Sequence, residues 1–407
     1  MDSTSPGSID GSPSGWPDGW PDDWSDIDTP AFVYDTRVVR QLLTYTDGLR
    51  QASGCRVLFS LKPFAYVDAL AMMAPHLDGF ATSSLFEARL ASQVLRGHGS
   101  LHLTTPGMRP DDVGEIASLC DFVSFNSLSQ YRMHGEAVSR AASCGLRVNP
   151  QMSFADDERY DPCRPNSKLG VPLERLVGVL AREPHRLSGI EGILVHSNCD
   201  SSDLAQAQAT VQYMDAKLSG LFERVQWVNL GGGYLLDESE SLQPLCETVH
   251  FLSSTYGLEV FVEPGAALTR AAGYIVSTVL DVFESGGKEV AVLDTTVNHM
   301  PEVFEYGFEP DVLGHDDDAD HEYLLAGCTC LAGDLFGLYR FHEPLEAGSK
   351  VVFNNAGAYT LPKAHLFNGV NLPTIYAVSE SGDLDLKKRF TYAEYAARWG
   401  ENVAVSV

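Results

Sequence analysis

The chain has 407 residues, 44% of them hydrophobic, and a formal net charge of −27 at neutral pH. This length exceeds one ordinary core and predicts two domains, or one barrel with a partner domain. The negative charge argues against a nucleic-acid partner, because a phosphate backbone needs a basic face. It is compatible with a cationic ligand, although keeping the protein soluble is its simpler explanation.

The N-terminal segment, residues 1–27, is rich in Ser, Pro, Gly and Asp and contains GWPDGWPDDW, a short imperfect repeat. Pro and Gly break regular structure, so we expect a disordered or loosely docked tail. Its tryptophans, Trp16, Trp20 and Trp24, could bind a partner or the protein itself; a dispensable extension is the simpler alternative. The segment lacks the basic start and the apolar stretch of a secretory signal.

Targeting and redox signals point to the cytoplasm. No run of residues is long and apolar enough to span a bilayer. The cysteines are scattered in neither a disulfide framework nor a zinc pattern, which predicts free thiols in a reducing compartment. They are Cys55, Cys120, Cys144, Cys163, Cys199, Cys246, Cys328 and Cys330.

Short apolar runs alternate with amphipathic helical stretches from residue 37 to residue 270. Apolar strands that alternate with helices indicate a parallel sheet covered by helices, and eight such units predict a (β/α)8 TIM-like barrel. The eight candidate strands are RVLFSLK, GFATSS, LHLTTPG, DFVSFNS, LRVNPQ, GILVHSN, WVNLGGG and VFVEPG.

The pattern changes after about Arg270, where strand-like segments such as GYIVSTVLDVF and SKVVFNNAGAYT are separated by turns. This predicts a C-terminal antiparallel β domain over residues 271–407. The early strand AFVYD, within residues 28–36, is expected to join it. The run GHDDDADHEY is most simply a solvated loop; metal binding is the alternative, although EF-hand spacing is absent.

Polar residues stand at the carboxyl ends of the predicted barrel strands, where barrel active sites lie. Lys62 follows strand 1, His196 and Asn198 follow strand 6, Gly231, Gly232 and Gly233 follow strand 7, Glu263 ends strand 8, and Arg147 lies in strand 5. Separately, each has an ordinary explanation: a solvated strand-end charge for Lys62, a structural histidine for His196, and turns for GGG and EPG.

Together these residues suit one cofactor. A partly desolvated lysine amine can form a Schiff base, and glycine amides can approach a phosphate because no Cβ interferes. Glu263 could keep a pyridine nitrogen protonated, and His196 could stack on a ring. Pyridoxal 5'-phosphate (PLP) would use all of these groups.

The motifs as a set resemble the fold-type III PLP-dependent decarboxylases, of the alanine racemase and ornithine decarboxylase superfamily, and within them the carboxynorspermidine (carboxyspermidine) decarboxylase branch. The resemblance covers residues 30 to 376. Ornithine decarboxylase has an aspartate at the position of Ala81 and an arginine at that of Ala266, and both departures point towards the carboxynorspermidine branch. The motifs include SLKPF, DGFATSSLFEARL, RVNP, YDPCRPNSKLG, HSNCD, NLGGGYL, VEPGAAL, CLAGDLFG, GAYT and FNGVNLPTIY.

The resemblance implies roles for individual residues. Lys62 is implied as the Schiff-base lysine, His196 as the group stacked on the ring and Glu263 as the partner of the pyridinium nitrogen. Further cofactor contacts are expected from Arg147, Gly231, Gly232, Gly233 and Tyr359, and Glu87 is expected to line the pocket. Tyr359 as a core aromatic is the alternative.

The family builds paired sites at a homodimer interface, so the resemblance also implies a dimer. Cys330 would reach across from the second subunit and protonate Cα after carbon dioxide leaves, with Asp334 beside it. Glu302, Glu305 and Asp334 are candidates for holding a cationic substrate tail. The alternatives are a small buried hydrophobe for Cys330, solvated surface for Glu302 and Glu305, and a turn carboxylate for Asp334.

These features predict decarboxylation of an amino acid with an extended amine tail, namely carboxynorspermidine or carboxyspermidine, to the polyamine. The main alternative is a PLP-dependent decarboxylase of another amino acid in a specialised biosynthetic pathway. An amino-acid racemase is disfavoured because it usually places an arginine at the ring nitrogen. A non-catalytic PLP-binding homologue is disfavoured because Lys62 and Cys330 are both present.

Overall fold

The computed structural model describes residues 27–155, 157–236, 239 and 241–400, so the tryptophans of the predicted tail lie outside the described residues. The chain divides into two compact units. One runs from Arg40 to Leu268, and the other combines the residues up to Val39 with those from Thr269 onwards. Among the described residues, no helix has the length and apolarity needed to cross a membrane.

The elements are numbered in chain order. In the described residues the strands are β1 (Ala31–Asp35), β2 (Arg56–Ser60), β3 (Gly79–Thr82), β4 (Ser100–Thr105), β5 (Phe122–Phe125), β6 (Ser143–Asn149), β7 (Val171–Pro172), β8 (Gly192–Val195), β9 (Trp227–Asn229), β10 (Glu259–Val262), β11 (Gly273–Ser285), β12 (Lys288–Leu293), β13 (His321–Ala326), β14 (Leu335–Phe341), β15 (Lys350–Phe353), β16 (Thr374–Val378) and β17 (Leu384–Lys388). The α-helices are α1 (Thr36–Ser53), α2 (Val67–Met73), α3 (Leu85–Leu95), α4 (Val113–Leu119), α5 (Leu128–Val138), α6 (Leu173–Arg182), α7 (Ala205–Phe222), α8 (Gln243–Tyr256), α9 (Pro301–Tyr306) and α10 (Tyr392–Arg398).

The unit from Arg40 to Leu268 is a closed parallel barrel, which confirms the predicted (β/α)8 architecture. Its strands follow the order β5-β4-β3-β2-β10-β9-β8-β6, and pairing of β5 with β6 closes the ring. All eight predicted strands are present. The two-residue strand β7, which pairs with the end of β6, was not predicted.

Serine caps start two of the helices that follow barrel strands. The Ser84 hydroxyl accepts from the N–H of Glu87 at 3.2 Å, and the Glu87 carboxylate accepts in return from the N–H of Ser83 at 2.7 Å. Ser127 caps α5 in the same way through the N–H of Gln130, at 3.1 Å. Such caps satisfy N–H groups that the first helical turn leaves unpaired, so each helix starts directly behind its strand.

An aromatic cluster fills the barrel interior around Trp227, which is 2% exposed. His102 stacks on Phe122 with ring centroids 4.2 Å apart, and Phe261 lies 4.6 Å from the same imidazole. The indole N–H of Trp227 donates to the Ser143 hydroxyl at 2.9 Å. Burial lowers the pKa of His102 to about 3, so this imidazole is neutral and packs as an aromatic ring.

Gly192 makes room for the Trp227 ring, because a Cβ at this glycine would lie 1.9 Å from the indole. We therefore expect Gly192→Ala to destabilise the protein by about 1–3 kcal/mol through overpacking. Gly220, on α7, is the matched control, because a Cβ added there would meet no other atom within 4 Å. Gly220→Ala should instead stabilise by roughly 0.5–1 kcal/mol. Urea unfolding midpoints test both; equal midpoints would contradict the packing argument.

The second unit is a mixed sheet in the order β14-β13-β12-β11-β1-β16-β17, with β15 on β11. AFVYD forms β1, as predicted, and lies between β11 and β16. Ile27 belongs to the core of this sheet. β14, β16 and β17 were not predicted as strands.

The sheet is mainly antiparallel, as predicted, and two of its pairings are parallel. β1 runs parallel to β16, and β12 runs parallel to β13. Parallel neighbouring strands need long connections. β1 and β16 are separated by most of the chain, and β12 is joined to β13 through α9 and the following loop. The remaining pairings are antiparallel.

Candidate active site

Lys62 lies in the turn that follows β2, at the carboxyl end of the barrel. The turn is held by backbone hydrogen bonds from Leu61 N–H to Ala81 O and from Phe64 N–H to Leu61 O, each 3.0 Å. The lysine side chain keeps enough accessible surface for a ligand to reach it. The surrounding barrel wall nevertheless restricts hydration of the ammonium and lowers its pKa, an effect that the charge of Glu263 partly opposes. A lowered pKa increases the fraction of reactive amine at neutral pH.

His196 follows β8 and contacts the glycine triplet. Its Nδ1 accepts from the N–H of Gly232 at 3.0 Å, which assigns the ring proton to Nε2. Burial, together with the charges of Lys62 and Arg147, lowers the pKa of His196 well below its usual range. The imidazole is therefore neutral, and a neutral flat ring is suited to stacking on an aromatic ligand.

The glycine triplet packs closely against the site. A Cβ at Gly231 would lie 2.7 Å from His196 Nδ1, and one at Gly232 would lie 2.1 Å from the carbonyl oxygen of Glu263. Gly233 has φ of +89°, a conformation that side chains rarely adopt. The backbone can follow this path beside His196 and Glu263 only because it carries no side chains.

Asn229 connects Glu263 to the glycine triplet. Its side-chain amide donates to Glu263 Oε1 at 2.6 Å, and its carbonyl oxygen accepts from the N–H of Gly231 at 2.8 Å. Asn229 is fully buried. Burial raises the pKa of Glu263, against the opposing effects of Lys62, Asn229 and Arg147. The carboxyl group is thus held in a fixed orientation and keeps a proton more readily than an exposed glutamate.

Arg147 and Glu87 complete the charged groups that act on Lys62. Arg147 is 9% exposed in β6, and burial lowers the pKa of its guanidinium, which remains charged because arginine starts so high. Burial raises the pKa of Glu87, while its hydrogen bond from Ser83 and the charge of Lys62 lower it. The barrel therefore brings together all of the site residues that were predicted within it.

Cys330 lies in the connection between β13 and β14 of the sheet unit and is exposed, unlike the buried small hydrophobe considered as its alternative. Its N–H donates to Asn368 Oδ1 at 2.8 Å. Asn368 has φ of +55°, a left-handed conformation that asparagine tolerates better than most residues. Tyr359 also has a positive φ and is partly buried in the same unit.

Asp334 is 3% exposed and accepts several hydrogen bonds within the sheet unit. Its donors are Thr296 Oγ1 and Val297 N–H, each at 2.8 Å, and the N–H and hydroxyl of Thr329. A Cβ at Gly327 would overlap the carboxylate. These contacts fasten the Cys330 connection to the segment before α9 and favour the turn-carboxylate alternative; direct contact between Asp334 and substrate stays a prediction.

Glu302 and Glu305 lie on α9 and share the ammonium of Lys363. The Lys363 Nζ to Glu302 Oε1 distance is 3.3 Å, and Glu305 Oε2 pairs with the same nitrogen. Glu302 and Glu305 are therefore more than solvated surface residues, because both take part in a defined ion pair. Two carboxylates around one ammonium leave a net negative charge, which suits a further cation. Binding of a substrate tail by this pair stays a prediction.

Comparison with known proteins identifies the family. The family model described as "Pyridoxal-dependent decarboxylase, C-terminal sheet domain" matches residues 31–357. The chain belongs to the pyridoxal-dependent decarboxylase family. This decarboxylase is 34% identical over 382 residues to the carboxyaminopropylagmatine decarboxylase of Synechocystis sp., covering 92% of this chain and 96% of that protein. It is 32% identical over 390 residues to the carboxynorspermidine/carboxyspermidine decarboxylase of Campylobacter jejuni, covering 91% and 98%.

A solved structure shares the fold of this decarboxylase over most of the chain. The crystal structure of Campylobacter jejuni carboxynorspermidine decarboxylase in complex with norspermidine superimposes with a TM-score of 0.82 at 29% identity, covering 91% of this chain and 100% of that chain. Diaminopimelate decarboxylase from Helicobacter pylori, at 17% identity and a TM-score of 0.79, shares the fold. The fold-type III assignment is therefore confirmed.

The barrel residues of this decarboxylase fit its cofactor, PLP. Lys62 offers an amine of the kind that forms a Schiff base, the glycine triplet lies beside it without side chains, and Asn229 fixes the orientation of the Glu263 carboxyl group. The neutral ring of His196 suits an aromatic cofactor. Asn229 and Asn368 were missed by sequence reasoning, although each lies inside a motif singled out there, NLGGGYL and FNGVNLPTIY.

Proposed function

We propose that this decarboxylase converts carboxynorspermidine or carboxyspermidine to the corresponding polyamine. The main support is the likeness to the Campylobacter jejuni enzyme, which extends over both units and nearly the full length of each chain. A second named carboxynorspermidine/carboxyspermidine decarboxylase, from Herminiimonas arsenicoxydans, is 31% identical over 377 residues. The paired carboxylates on α9 suit the amine-bearing tail of such substrates.

The reaction exchanges the substrate carboxylate for a proton at Cα. When bound, PLP accepts the electron pair that the departing carbon dioxide leaves behind. Lys62 would hold the cofactor through its amine, and the lowered pKa of that amine increases its unprotonated, nucleophilic fraction. Glu263, oriented by Asn229, keeps a proton at the ring nitrogen. His196 stacks on the ring of the cofactor, and Glu87 lines the pocket. Further contacts with the cofactor come from Arg147, Gly231, Gly232, Gly233 and Tyr359.

The proton for Cα comes from Cys330 of the partner subunit in a cytoplasmic homodimer. Exposure of the thiol supports this role, since a buried cysteine could not reach a second chain. The hydrogen bond from its N–H to Asn368 fixes the backbone that carries the thiol. Glu302 and Glu305 bind the cationic tail, and Asp334 stabilises the Cys330 connection and contributes negative charge nearby.

A second candidate substrate is carboxyaminopropylagmatine. The Synechocystis relative with that activity in its name is 34% identical over 92% of this chain. Its guanidinium tail would also pair with carboxylates, and in bidentate geometry. The two candidate substrates therefore differ at the end of the tail, which is a planar guanidinium in carboxyaminopropylagmatine and an amine in carboxynorspermidine or carboxyspermidine.

The deciding assay incubates the PLP-loaded enzyme with each carboxylated substrate and follows carbon dioxide release and product mass. We expect norspermidine or spermidine to form with a kcat/KM at least about tenfold higher than for carboxyaminopropylagmatine, a difference of about 1.4 kcal/mol in transition-state binding. Preference for carboxyaminopropylagmatine would reassign the substrate. Turnover of none of them, with the cofactor bound, would refute the proposed function.

Cys330→Ser should lower kcat by about 10²-fold, because a hydroxyl is a far weaker acid than a thiol at the proton-donating position. Cys246→Ser, on α8 of the barrel, is the control and should leave kcat within about twofold. Mixing Cys330→Ser with Lys62→Ala chains tests the dimer as well. Recovery of part of the activity in the mixture is expected; full activity in Cys330→Ser alone would contradict the role.

Asn368→Gly should lower kcat by about tenfold without changing KM, because glycine keeps the positive φ but removes the acceptor of the Cys330 N–H. Thiol labelling of Cys330 should become measurably faster. Asn371→Gly, whose side chain contacts Phe390 O instead, is the control. Unchanged kcat and labelling in Asn368→Gly would show that the contact does not position the cysteine.

A further inference from the structure

Helix α10 presents an aromatic face. Tyr392, Tyr395 and Trp399 follow one another at helical spacing, with successive ring centroids 6.2 and 6.1 Å apart. Tyr392 and Trp399 are each 67% exposed, and Leu386 on the preceding strand β17 is 48% exposed. Clustered exposed aromatic side chains of this kind often mark a binding surface.

Beside this aromatic face runs the basic stretch Lys387, Lys388 and Arg389. It is the only place in this strongly acidic chain where lysines or arginines adjoin one another. Lys388 pairs with Glu394 at 2.6 Å and also lies 5.4 Å from the ring centre of Phe390. Arg398 adds a further exposed cation at the end of α10. Lys387 pairs with Asp385 at 3.5 Å. The face therefore combines aromatic rings with cations that lie beside carboxylates, together with the exposed Arg398.

The described part of the chain begins next to this face. Ile27 is buried in the sheet core, and the N–H of Asp28 donates to the Tyr376 hydroxyl at 3.2 Å. The Asp28 carboxylate pairs with Arg389 at 3.1 Å, three residues before α10 begins. The first described residues of the chain thus lie beside the aromatic face.

We propose that the aromatic face of α10, with its basic stretch, is the docking site of the chain's own segment 16–26, WPDGWPDDWSD. The segment carries three tryptophans, four aspartates and no lysine or arginine. Its tryptophans complement the rings of the face, and its aspartates complement the exposed Arg398. Prolines follow Trp16 and Trp20 and favour an extended backbone at each of them, the form in which aromatic surfaces bind proline-rich segments.

The length of the segment suits this docking. Trp24 is four residues from Asp28, a span of up to ~13 Å for an extended chain. The aromatic face from Tyr392 to Trp399 is ~10 Å long at the helical rise per residue. Trp20 and Trp24 can therefore reach the rings of α10 while Asp28 stays paired with Arg389. A tryptophan buried in this way covers on the order of 150–250 Å².

The test compares full-length proteins by hydrogen–deuterium exchange and acrylamide quenching. The tail variant carries Trp16→Ala, Trp20→Ala and Trp24→Ala; the surface variant is Tyr392→Ser; and Met133→Ser, 66% exposed on α5, is the control. We expect the tail variant to speed exchange at residues 386–399 about threefold or more. Tyr392→Ser should raise quenching of the tail tryptophans about twofold, and Met133→Ser should change neither.

Equal exchange at residues 386–399 in the parent and the tail variant would overturn the proposal. So would protection that rises with protein concentration, since a second copy would then cover the face. Protection lost on removing residues 401–407, but not in the tail variant, would assign the face to the C-terminal residues instead. Turnover should stay within about twofold in every variant, because none alters the proposed catalytic machinery.

Discussion

Replacing Lys62 with alanine is expected to lower turnover by about 10⁴-fold or more, the largest effect of any single substitution in this chain. Lys62 is the lysine in the turn after β2, and the charges of Glu263, Arg147 and Glu87 all act on it. In the proposed mechanism, alanine removes the nitrogen that would bind the cofactor. Carbon dioxide release under saturating substrate measures the loss.

Two controls make this result specific. Lys217→Ala removes a lysine from α7 that pairs with Glu174 at the barrel surface, and it should leave turnover within about twofold. Borohydride reduction followed by peptide mapping should place a pyridoxyl group on the peptide that contains Lys62 in the parent. Substantial turnover in Lys62→Ala, or labelling of a different lysine, would refute the assignment.

Glu263→Gln is expected to lower kcat by about 10³-fold, because a preorganised charge beside the ring is lost while the shape of the site is kept. The glutamine can still accept from Asn229, so the mutant should remain folded and retain its cofactor. In the proposed mechanism, however, the substitution removes the carboxylate that would keep the ring nitrogen protonated. The visible absorption band of the bound cofactor should therefore shift.

Glu259→Gln is the matched control for this substitution. Glu259 begins β10, the strand that Glu263 directly follows; it is exposed and pairs with Arg56 at 3.0 Å. Surface pairs of this kind contribute about 0–1 kcal/mol, so kcat should be unchanged. Asn229→Ala should give an intermediate loss, since it frees Glu263 without removing its charge. Equal activity of Glu263→Gln and Glu259→Gln would remove Glu263 from the mechanism.

The barrel could be predicted from the sequence because each of its strands and helices has a local sequence pattern. Each strand reads as an apolar run and each helix as an amphipathic stretch, so periodicity alone predicts all eight units. The carboxyl ends of parallel barrel strands lie on one side of the barrel. Lys62, His196 and Glu263 could therefore be placed near one another without knowing any side-chain contact. The mixed sheet was less accessible, because its parallel pairings depend on which distant segments meet.

Side-chain pairing was beyond sequence reasoning for the same reason. In the sequence, Asn229 looks like an ordinary strand residue. Only the structure shows that its side-chain amide donates a hydrogen bond to Glu263, 34 residues later. The sequence likewise gives no sign that Thr296 and Val297 donate hydrogen bonds to the Asp334 carboxylate. Such contacts join residues that are far apart in the chain, and no local pattern records them.

The place of β1 between β11 and β16 also determines when this protein can finish folding during synthesis. The hydroxyl of Thr36, just after β1, bonds to the carbonyl of Val378, 342 residues later in the chain. At the usual pace of translation, ~5–20 residues per second, that partner emerges from the ribosome about 17–68 s afterwards. The barrel sequence has been synthesised well before then. β1 is buried along its full length in the final sheet, but its edge towards β16 stays unpaired until β16 has been synthesised. We therefore expect the nascent chain to depend on chaperones at this strand, and any truncation before Thr374 to leave β1 open to aggregation.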